Sequence, residues 1–582
     1  MPMSRAVVLV FQPSDTKSRA VFQNARASLK DASIPYLGYE LDTVHRGPNL
    51  DDFACVVICA QITEKLSDSF SEDVSKYVSR GGGVVFACGG FKQSLSEVIG
   101  ISDPGQAGTL VESRGLRFVG DLFPGTEGLS LGSDTWDILQ SRVSVSSESL
   151  LSACSIQIED LAGCPVLWLR NSSVGRVTFW NTDILSEKLF RGFLFQTILA
   201  TMDVAVATIG GFATVQIDDF PPSESYEKPI HMTDEFPDMF EEDFFFGPWI
   251  NDMLALRNRF DLRFTYFLTL DYSDFDTSKE AKVPDTTKQS LQYRLGRFGE
   301  LPSGDEYGFH GFNHVEHTRK GWPHENSFKR KVSAARHLWR QIVGERLPTA
   351  WVPPNNSFDE RTVRLLKRHF PEISIVCSLH STGAFSNGCN REFGGEPWCH
   401  ELLNIPRQTY GFILTEAQRA LLLSQILGMG VWTHFMHPDD VTDIRVGTTN
   451  LMDFRNPENL NWKTKNEADR DGMFVEFERW IGWVTDIFPW LEFVTISDAA
   501  GRWQRLSANG PSVEVFPDRV EVATQSDQLL FIRLAEGRKL SNRKQGAVLA
   551  EYKVSGGTLY VVSCSKRKTC FHLIERRRNI SD

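Results

Sequence analysis

The sequence predicts an α/β protein with a central distorted (β/α) barrel, an N-terminal open α/β sheet and a small C-terminal β-sandwich. Strand and helix patterns alternate over residues 1–205, and about eight further βα units follow over residues 206–508. Residues 509–582 instead carry short, closely spaced strand patterns. At 582 residues, 41% hydrophobic and 23% charged, the chain can fill several cores, and we predict three domains with these boundaries.

The N-terminal domain is predicted from short apolar runs separated by amphipathic segments. The predicted strands are 6–11, 54–60 and 84–88, and the predicted helices are 22–30 and 67–78. The turn Cys88-Gly89-Gly90 is similar to the nucleophile turn of glutamine-amidotransferase-like folds. A cysteine nucleophile needs a base, and His45 is the only histidine before residue 231. We therefore interpret Cys88 as a structural or glycan-contacting residue.

The central domain shows the same alternation over a longer stretch. The predicted strands are 213–217, 263–268, 307–309, 350–352, 373–377, 402–405, 430–435 and 492–496. The predicted helices between them include 327–343, 359–368, 415–427 and 473–488. Barrel enzymes place their reacting groups at the C-terminal ends of the strands, so polar residues at those ends are the candidates for chemistry.

Two carboxylates and two histidines occupy such strand ends. Asp218 and Asp219 close one apolar strand, and His310 and His314 follow another. A helical turn beginning at His310 would place both imidazoles on one face. One carboxylate and two imidazoles suit a divalent transition metal, and the other carboxylate would be free to act as a general base.

These residues resemble the polysaccharide deacetylases with a NodB-homology domain, carbohydrate esterase family 4 and its divergent multidomain relatives. Their first motif is an Asp-Asp strand end, and their second is His-x-x-x-His. By this resemblance Asp218 is the catalytic base, and Asp219, His310 and His314 are the metal ligands. The resemblance implies Zn²⁺ as the metal, with Co²⁺, Ni²⁺ and Mn²⁺ as alternatives.

The third motif departs from the family pattern. The run Trp351-Val352-Pro353-Pro354-Asn355 lacks the arginine that usually begins this motif and the glycine that usually ends it. In the family this arginine orients the catalytic aspartate. Arg407, at another predicted strand end, is our candidate for that role.

The last motif of the family places a histidine at a strand end, where it donates a proton to the leaving amine. Two residues, His434 and His437, compete for this role, and we prefer His437 because it lies just past the strand end. A carboxylate such as Asp439 or Asp440 would hold the other nitrogen of its imidazole.

The resemblance implies a metal-dependent N-deacetylase that removes acetyl groups from N-acetylated amino sugars of a polysaccharide or its precursor. The expected partner is therefore a glycan that contains N-acetylhexosamine. The altered third motif leaves open a non-catalytic glycan-binding protein on a deacetylase scaffold. A barrel glycoside hydrolase that uses paired carboxylates is the third interpretation, although its mechanism assigns no role to the histidines.

Charge and hydropathy limit the other partners. The net charge of −12 gives no general reason to expect nucleic-acid binding. The apolar run at the start is too short for a signal peptide, and no run approaches the ~18 residues of a membrane span. Ten cysteines occur without a Cys-x-x-Cys pair. These features predict a cytoplasmic protein and indicate no oligomeric state.

Two charged segments are candidate contacts for a glycan. Residues 218–243 carry ten Asp+Glu and a single Lys, and we hypothesise that they hold the cationic deacetylated sugar. The basic clusters 566–568 and 576–578 are interpreted as a solvated tail, or else as a contact for an acidic glycan or phospholipid.

Overall fold

The computed structural model describes most of the chain. The described residues are 3–41, 48–61, 65–101, 110–112, 115–132, 139–141, 154–171, 175–223, 234–272, 283–380, 390–444, 455–508, 510–541, 547–565 and 567–575. The fold is mixed α/β, as the alternating patterns predict, and its main features are three large sheet systems.

The N-terminal sheet has a parallel half and an antiparallel half. In order across the sheet its strands are Tyr36–Glu40, Val7–Phe11, Cys55–Ile58, Gly83–Phe86, Arg176–Trp180, Pro165–Asn171, Cys154–Asp160, Gly115–Phe118 and Ser130–Gly132. Helices Thr16–Asp31, Asp68–Ser79, Ser96–Ile99 and Arg191–Thr201 accompany it, and Leu110–Glu112 pairs with Leu139–Ser141 as a separate ribbon. The predicted strands and helices of this region are confirmed. The sequence patterns did not predict Tyr36–Glu40, which is largely exposed, or the antiparallel half.

The central sheet carries the candidate site. In order across the sheet its strands are Gly394–Glu396, Cys399–Asn404, Ile375–Val376, Ala350–Trp351, Glu306–Phe309, Phe264–Leu268, Phe212–Phe220, Val431–Met436 and Thr409–Tyr410, and Glu492–Phe493 also pairs with Phe212–Phe220. The helices around it are Glu241–Phe244, Ile250–Arg259, Asp285–Phe298, Glu325–Ile342, Glu360–His369, Glu416–Met429, Met473–Ile487 and Ile496–Ala508. Every strand and helix predicted for this region is present, with ends shifted by a few residues.

The central sheet curls so that its two ends approach each other. The backbone N–H of Arg407 donates to the carbonyl of Ser378 at 2.7 Å, on the side of the Ile375–Val376 strand. The next residue, Gln408, donates its backbone N–H to the carbonyl of Thr433 at 3.2 Å, on the other side. Apolar side chains such as Phe267 and Val352 belong to one buried cluster with these strands. Closure of this curled sheet into a full barrel stays a prediction.

The C-terminal strands form two four-stranded antiparallel sheets around one apolar cluster. The first sheet has the order Val204–Ile209, Gln528–Ala535, Gly557–Cys564 and Ala547–Val554. The second has the order Ser512–Val515, Arg519–Thr524, Arg567–Glu575 and Arg538–Leu540. The strand Val204–Ile209 therefore pairs with residues that lie far later in the chain. The division into three domains at residues 205 and 508 stays a prediction.

Among the described residues, no helix combines the length and the apolar character that crossing a membrane requires.

Candidate active site

The two adjacent carboxylates lie at the end of the strand Phe212–Phe220, in the middle of the curled sheet. This strand has parallel neighbours on both sides, so its carboxyl end lies among the ends of several others. Asp218 is buried at 1% exposure. Asp219 has a left-handed φ of 51°, and the regular ladder is interrupted after Ile217. This change of backbone conformation directs two consecutive carboxylates to different partners.

The segment from His310 to His314 is a loop, so the expected helical turn is wrong. Gly311 has φ of 105° and His314 has φ of 51°, both outside the helical region. A Cβ atom at Gly311 would lie 2.9 Å from the Pro354 side chain, so the glycine allows a close approach to the third motif. The next helix begins only at Glu325. A tight irregular loop, and not a helix face, brings the two imidazoles together.

Asp219, His310 and His314 converge on one point. Their ligand atoms all lie within 4.8 Å of one another. Asp219 Oδ1 is 3.5 Å from His310 Nε2 and 3.2 Å from His314 Nε2. The Thr269 hydroxyl donates to the same carboxylate oxygen at 3.3 Å. The structure thus groups the three residues that the sequence singled out as metal ligands.

The chemistry of this group fits a divalent cation. His310 Nδ1 lies 3.0 Å from the Val352 carbonyl, which can only accept a hydrogen bond, so Nδ1 carries the proton and Nε2 is a lone-pair donor. Burial lowers the pKa of His310 to about 4, which keeps the ring neutral at pH 7. A neutral Nε2 and the Asp219 carboxylate oxygen are both acceptors, and a cation between them would remove their mutual repulsion. Two nitrogens and one oxygen are a common ligand set for Zn²⁺ and its neighbours.

Asp218 is held by Arg407 across the curl of the sheet. Arg407 Nη1 donates to Asp218 Oδ2, and both side chains are almost completely buried. Arg407 Nη2 donates to Asn356 Oδ1, and the guanidinium lies 3.8 Å from the centroid of the Phe435 ring. The other oxygen, Asp218 Oδ1, is buried and accepts no hydrogen bond from any described residue. Arg407 therefore contacts Asp218, as our candidate for orienting this aspartate should, and Oδ1 has no hydrogen-bond donor among the described residues.

The two candidate acids at the strand Val431–Met436 point in different directions. His434 is fully buried and stacks on Phe477 of a surrounding helix with ring centroids 5.4 Å apart. Burial lowers the pKa of His434 to about 3, so its ring is uncharged at neutral pH and is a poor general acid. His437 instead faces the site, with Nε2 3.8 Å from Asp218 Oδ2. The alternation of side chains along a strand explains why residues three apart face opposite sides.

His437 is oriented by Asp440. Its Nδ1 lies 3.1 Å from Asp440 Oδ1, and its backbone N–H donates to Asp440 Oδ2 at 3.0 Å. Burial alone lowers the pKa of His437, but the Asp440 carboxylate outweighs it and raises the pKa to about 9. Arg455 pairs with Asp440 at 2.9 Å and with Asp439 at 2.8 Å. The ring is therefore protonated at neutral pH, as a general acid requires.

Sequence reasoning missed two polar residues of this site. Asn356 directly follows the third motif and binds Arg407, but asparagine after proline also marks an ordinary turn. Arg455 belongs to no motif, and no sequence pattern indicates that it pairs with Asp440.

Neither His317 nor Cys88 belongs to the group formed by Asp219, His310 and His314. His317 is buried and stacks on Trp351 with ring centroids 5.3 Å apart, which suits a packing role. Cys88 is buried, and burial raises the pKa of its thiol well above the usual value, which opposes a nucleophilic role. His45, its only candidate base, lies outside the described residues.

The charged segments are only partly within the described chain. Residues 224–233, 566 and 576–578 lie outside it. Within the acidic segment, the Glu235 carboxylate accepts the backbone N–H of Trp462 at 2.9 Å, and Arg297 pairs with Glu242 at 3.0 Å. Lys568 of the basic clusters pairs with Glu521 at 2.6 Å. These particular charged groups already form hydrogen bonds or ion pairs within the protein.

Comparisons with known proteins gave a family match and one structure of similar overall fold. A family model described as "Uncharacterised protein conserved in bacteria (DUF2194)" matches residues 34–561. A search of curated proteins found no match. The fold is similar to the crystal structure of Agd3, a novel carbohydrate deacetylase, with 12% identity, a TM-score of 0.52, and coverage of 98% of this chain and 99% of that chain. Peptidoglycan deacetylase PdaC from Bacillus subtilis is 13% identical with a TM-score of 0.25, and the match covers 52% of this chain and 94% of that chain.

Proposed function

This chain belongs to the DUF2194 family of proteins conserved in bacteria, and from the geometry of its site we propose that it is a metal-dependent carbohydrate N-deacetylase. The observation that carries this proposal is the grouping of Asp219, His310 and His314 beside a second carboxylate, Asp218. The similarity of fold to a carbohydrate deacetylase supports the same conclusion. The substrate class would be an N-acetylated amino sugar in a polysaccharide or its precursor.

Asp219, His310 and His314 would hold the metal. When bound, a divalent metal would polarise the acetyl carbonyl and acidify the attacking water. Asp218 Oδ1, which no described residue occupies, accepts the proton of that water as it attacks the carbonyl carbon. Arg407 fixes the orientation of Asp218, since its guanidinium donates to the other oxygen.

His437 supplies the proton that the leaving amine needs. Its protonated Nε2 donates to the amine nitrogen as the bond between that nitrogen and the acyl carbon breaks. Asp440 holds Nδ1 and stabilises the charged ring. The products are acetate and a free amino sugar. Both a base and an acid are thus available without a further protein group.

The direct test is acetate release from a panel of N-acetylhexosamine oligosaccharides, before and after a chelator, with metal content measured in parallel. We expect bound metal, release of acetate, loss of release with the chelator, and recovery when Zn²⁺ or Co²⁺ is restored. Asp219→Asn should bind little metal, whereas the exposed control Asp73→Asn should behave as wild type. Reducing ends without acetate would indicate a glycoside hydrolase. Glycan binding with neither metal nor acetate would indicate a non-catalytic protein.

The pH profile should report the protonation of His437. The acid is charged below its pKa of about 9, so acetate release should decline as the pH rises through about 9. The charged groups around it are Asp440, Arg455 and Asp218. In Asp440→Asn, burial would dominate and the decline should begin at least about one pH unit lower.

The matched control for this profile is His434→Gln, which changes the neighbouring histidine on the opposite face of the strand. Its decline should stay near pH 9. If the pH of the decline shifts in the His434 variant but not in the Asp440 variant, His434 and not His437 is the general acid.

A further inference from the structure

A basic groove lies between two helices on the outside of the curled sheet. Its volume is about 640 Å³, and it runs between helices Asp285–Phe298 and Glu325–Ile342. Lys288, Lys329 and Arg330 line it, and across the described part of the chain no Asp or Glu does. A groove with cationic walls is unexpected in a protein whose net charge is −12.

Ion pairs within the described chain cancel only part of the charge of this groove, since Lys288 pairs with Asp285 at 3.2 Å. Helix Glu325–Ile342 carries five Lys+Arg and one Glu. Arg336 pairs with Glu372, and Lys331 is buried. Lys329 and Arg330, in contrast, are exposed and have no acidic partner among the residues that the structure describes. Two cations are therefore available to a ligand.

The groove begins at the face of the sheet that carries the reacting groups. Each of its two helices follows a strand, Phe264–Leu268 or Glu306–Phe309, so its first turn lies near the carboxyl ends of the strands. Lys331 Nζ lies 4.4 Å from the centroid of Phe312, a residue between the two histidine ligands. The first turns of helix Glu325–Ile342, which line the groove with Asn326, Lys329 and Arg330, are therefore close in the chain to a residue that contacts the site segment.

We propose that the groove binds an anionic stretch of the same glycan whose N-acetyl group reaches the site, so that the substrate class is an acidic N-acetylated polysaccharide. This inference rests on the proposed deacetylase function. Carboxylate or phosphate groups on alternate sugars would meet Lys329 and Arg330, and the polar walls would meet hydroxyl groups. A concave groove accommodates a single chain, whereas a flat lipid surface cannot enter it.

The test is binding by calorimetry of two probes of equal length, a hyaluronan decasaccharide and a neutral chito-oligosaccharide. The variant is Lys329→Glu/Arg330→Glu, and the control is Arg26→Glu/Lys30→Glu, which reverses two exposed cations on an N-terminal helix. We expect tighter binding of hyaluronan than of the neutral probe, weakening by salt, and a loss of about tenfold or more only in the groove variant.

The inference is overturned if both sugars bind equally well or if the groove variant changes nothing. Poly-glutamate or DNA binding as tightly as hyaluronan would overturn it too, because the groove would then select charge alone. Acetate release from the neutral probe is measured in each variant. If acetate release persists and the groove variant binds hyaluronan as tightly as wild type, the groove proposal is rejected and the deacetylase proposal stands. If wild type releases no acetate, the deacetylase proposal is rejected.

Discussion

Replacing Asp218 with asparagine is expected to slow acetate release by about a thousandfold while the metal stays bound. Asparagine has the same shape but cannot accept the proton of the attacking water. It also ends the ionic contact with Arg407. The metal ligands Asp219, His310 and His314 are unchanged, so metal content should equal that of wild type. Single-turnover kinetics and metal analysis of the same preparation give both quantities.

The contrast with Asp219→Asn makes this experiment specific. That neighbour should lose metal and activity together, because its carboxylate lies among the imidazole nitrogens. If Asp218→Asn keeps more than about a tenth of the activity, Asp218 is not the base. If both variants lose metal, the two carboxylates act as one ligand set and the division of roles is wrong.

Replacing Arg407 with methionine is expected to destabilise the protein by about 3–5 kcal/mol and to abolish activity. The Arg407–Asp218 pair is buried from both sides, at 0% and 1% side-chain exposure, so removing the cation leaves an isolated buried carboxylate. Urea denaturation measures the effect, read as a shift of the midpoint because a chain of this size need not unfold in one step.

The double variant Arg407→Met/Asp218→Asn isolates the electrostatic part of the loss in stability. It carries no buried charge at this pair and should recover much of the stability while staying inactive. The exposed pair of Arg80 and Asp51 provides the control, since Arg80→Met should cost less than about 1 kcal/mol. A double variant no more stable than Arg407→Met would mean that packing of the arginine, against Phe435 and Asn356, dominates.

Most of the site could be predicted because its residues follow strands that are clear in the sequence. The apolar run before Asp218 and the run before His310 are both parallel strands, and parallel strands bring their carboxyl ends to one edge. The choice of His437 over His434 followed from position alone, and the geometry supports it. Arg407 was proposed from its strand end, and it contacts Asp218 although 189 positions separate them.

The parts that could not be predicted depend on local backbone or on distant partners. The spacing of His310 and His314 suits a helix, but Gly311 and His314 adopt positive φ values, which the histidine pattern does not reveal. The exposed edge strand Tyr36–Glu40 lacks the apolar run that marks a buried strand. The antiparallel half does include a buried apolar run in Pro165–Asn171, but a short run does not reveal which strands it pairs with. Arg455 pairs with Asp440 by tertiary folding alone.

The strand Val204–Ile209 has a consequence for truncated forms of this protein. It lies directly before the strand Phe212–Phe220, which carries Asp218 and Asp219, yet its hydrogen-bond partner is Gln528–Ala535. The buried Arg533 of that partner also donates to Gln196 and to the carbonyl of Leu122 at 3.3 Å each. A premature stop codon before residue 528 would therefore expose the edge of an apolar strand and favour aggregation of the whole polypeptide.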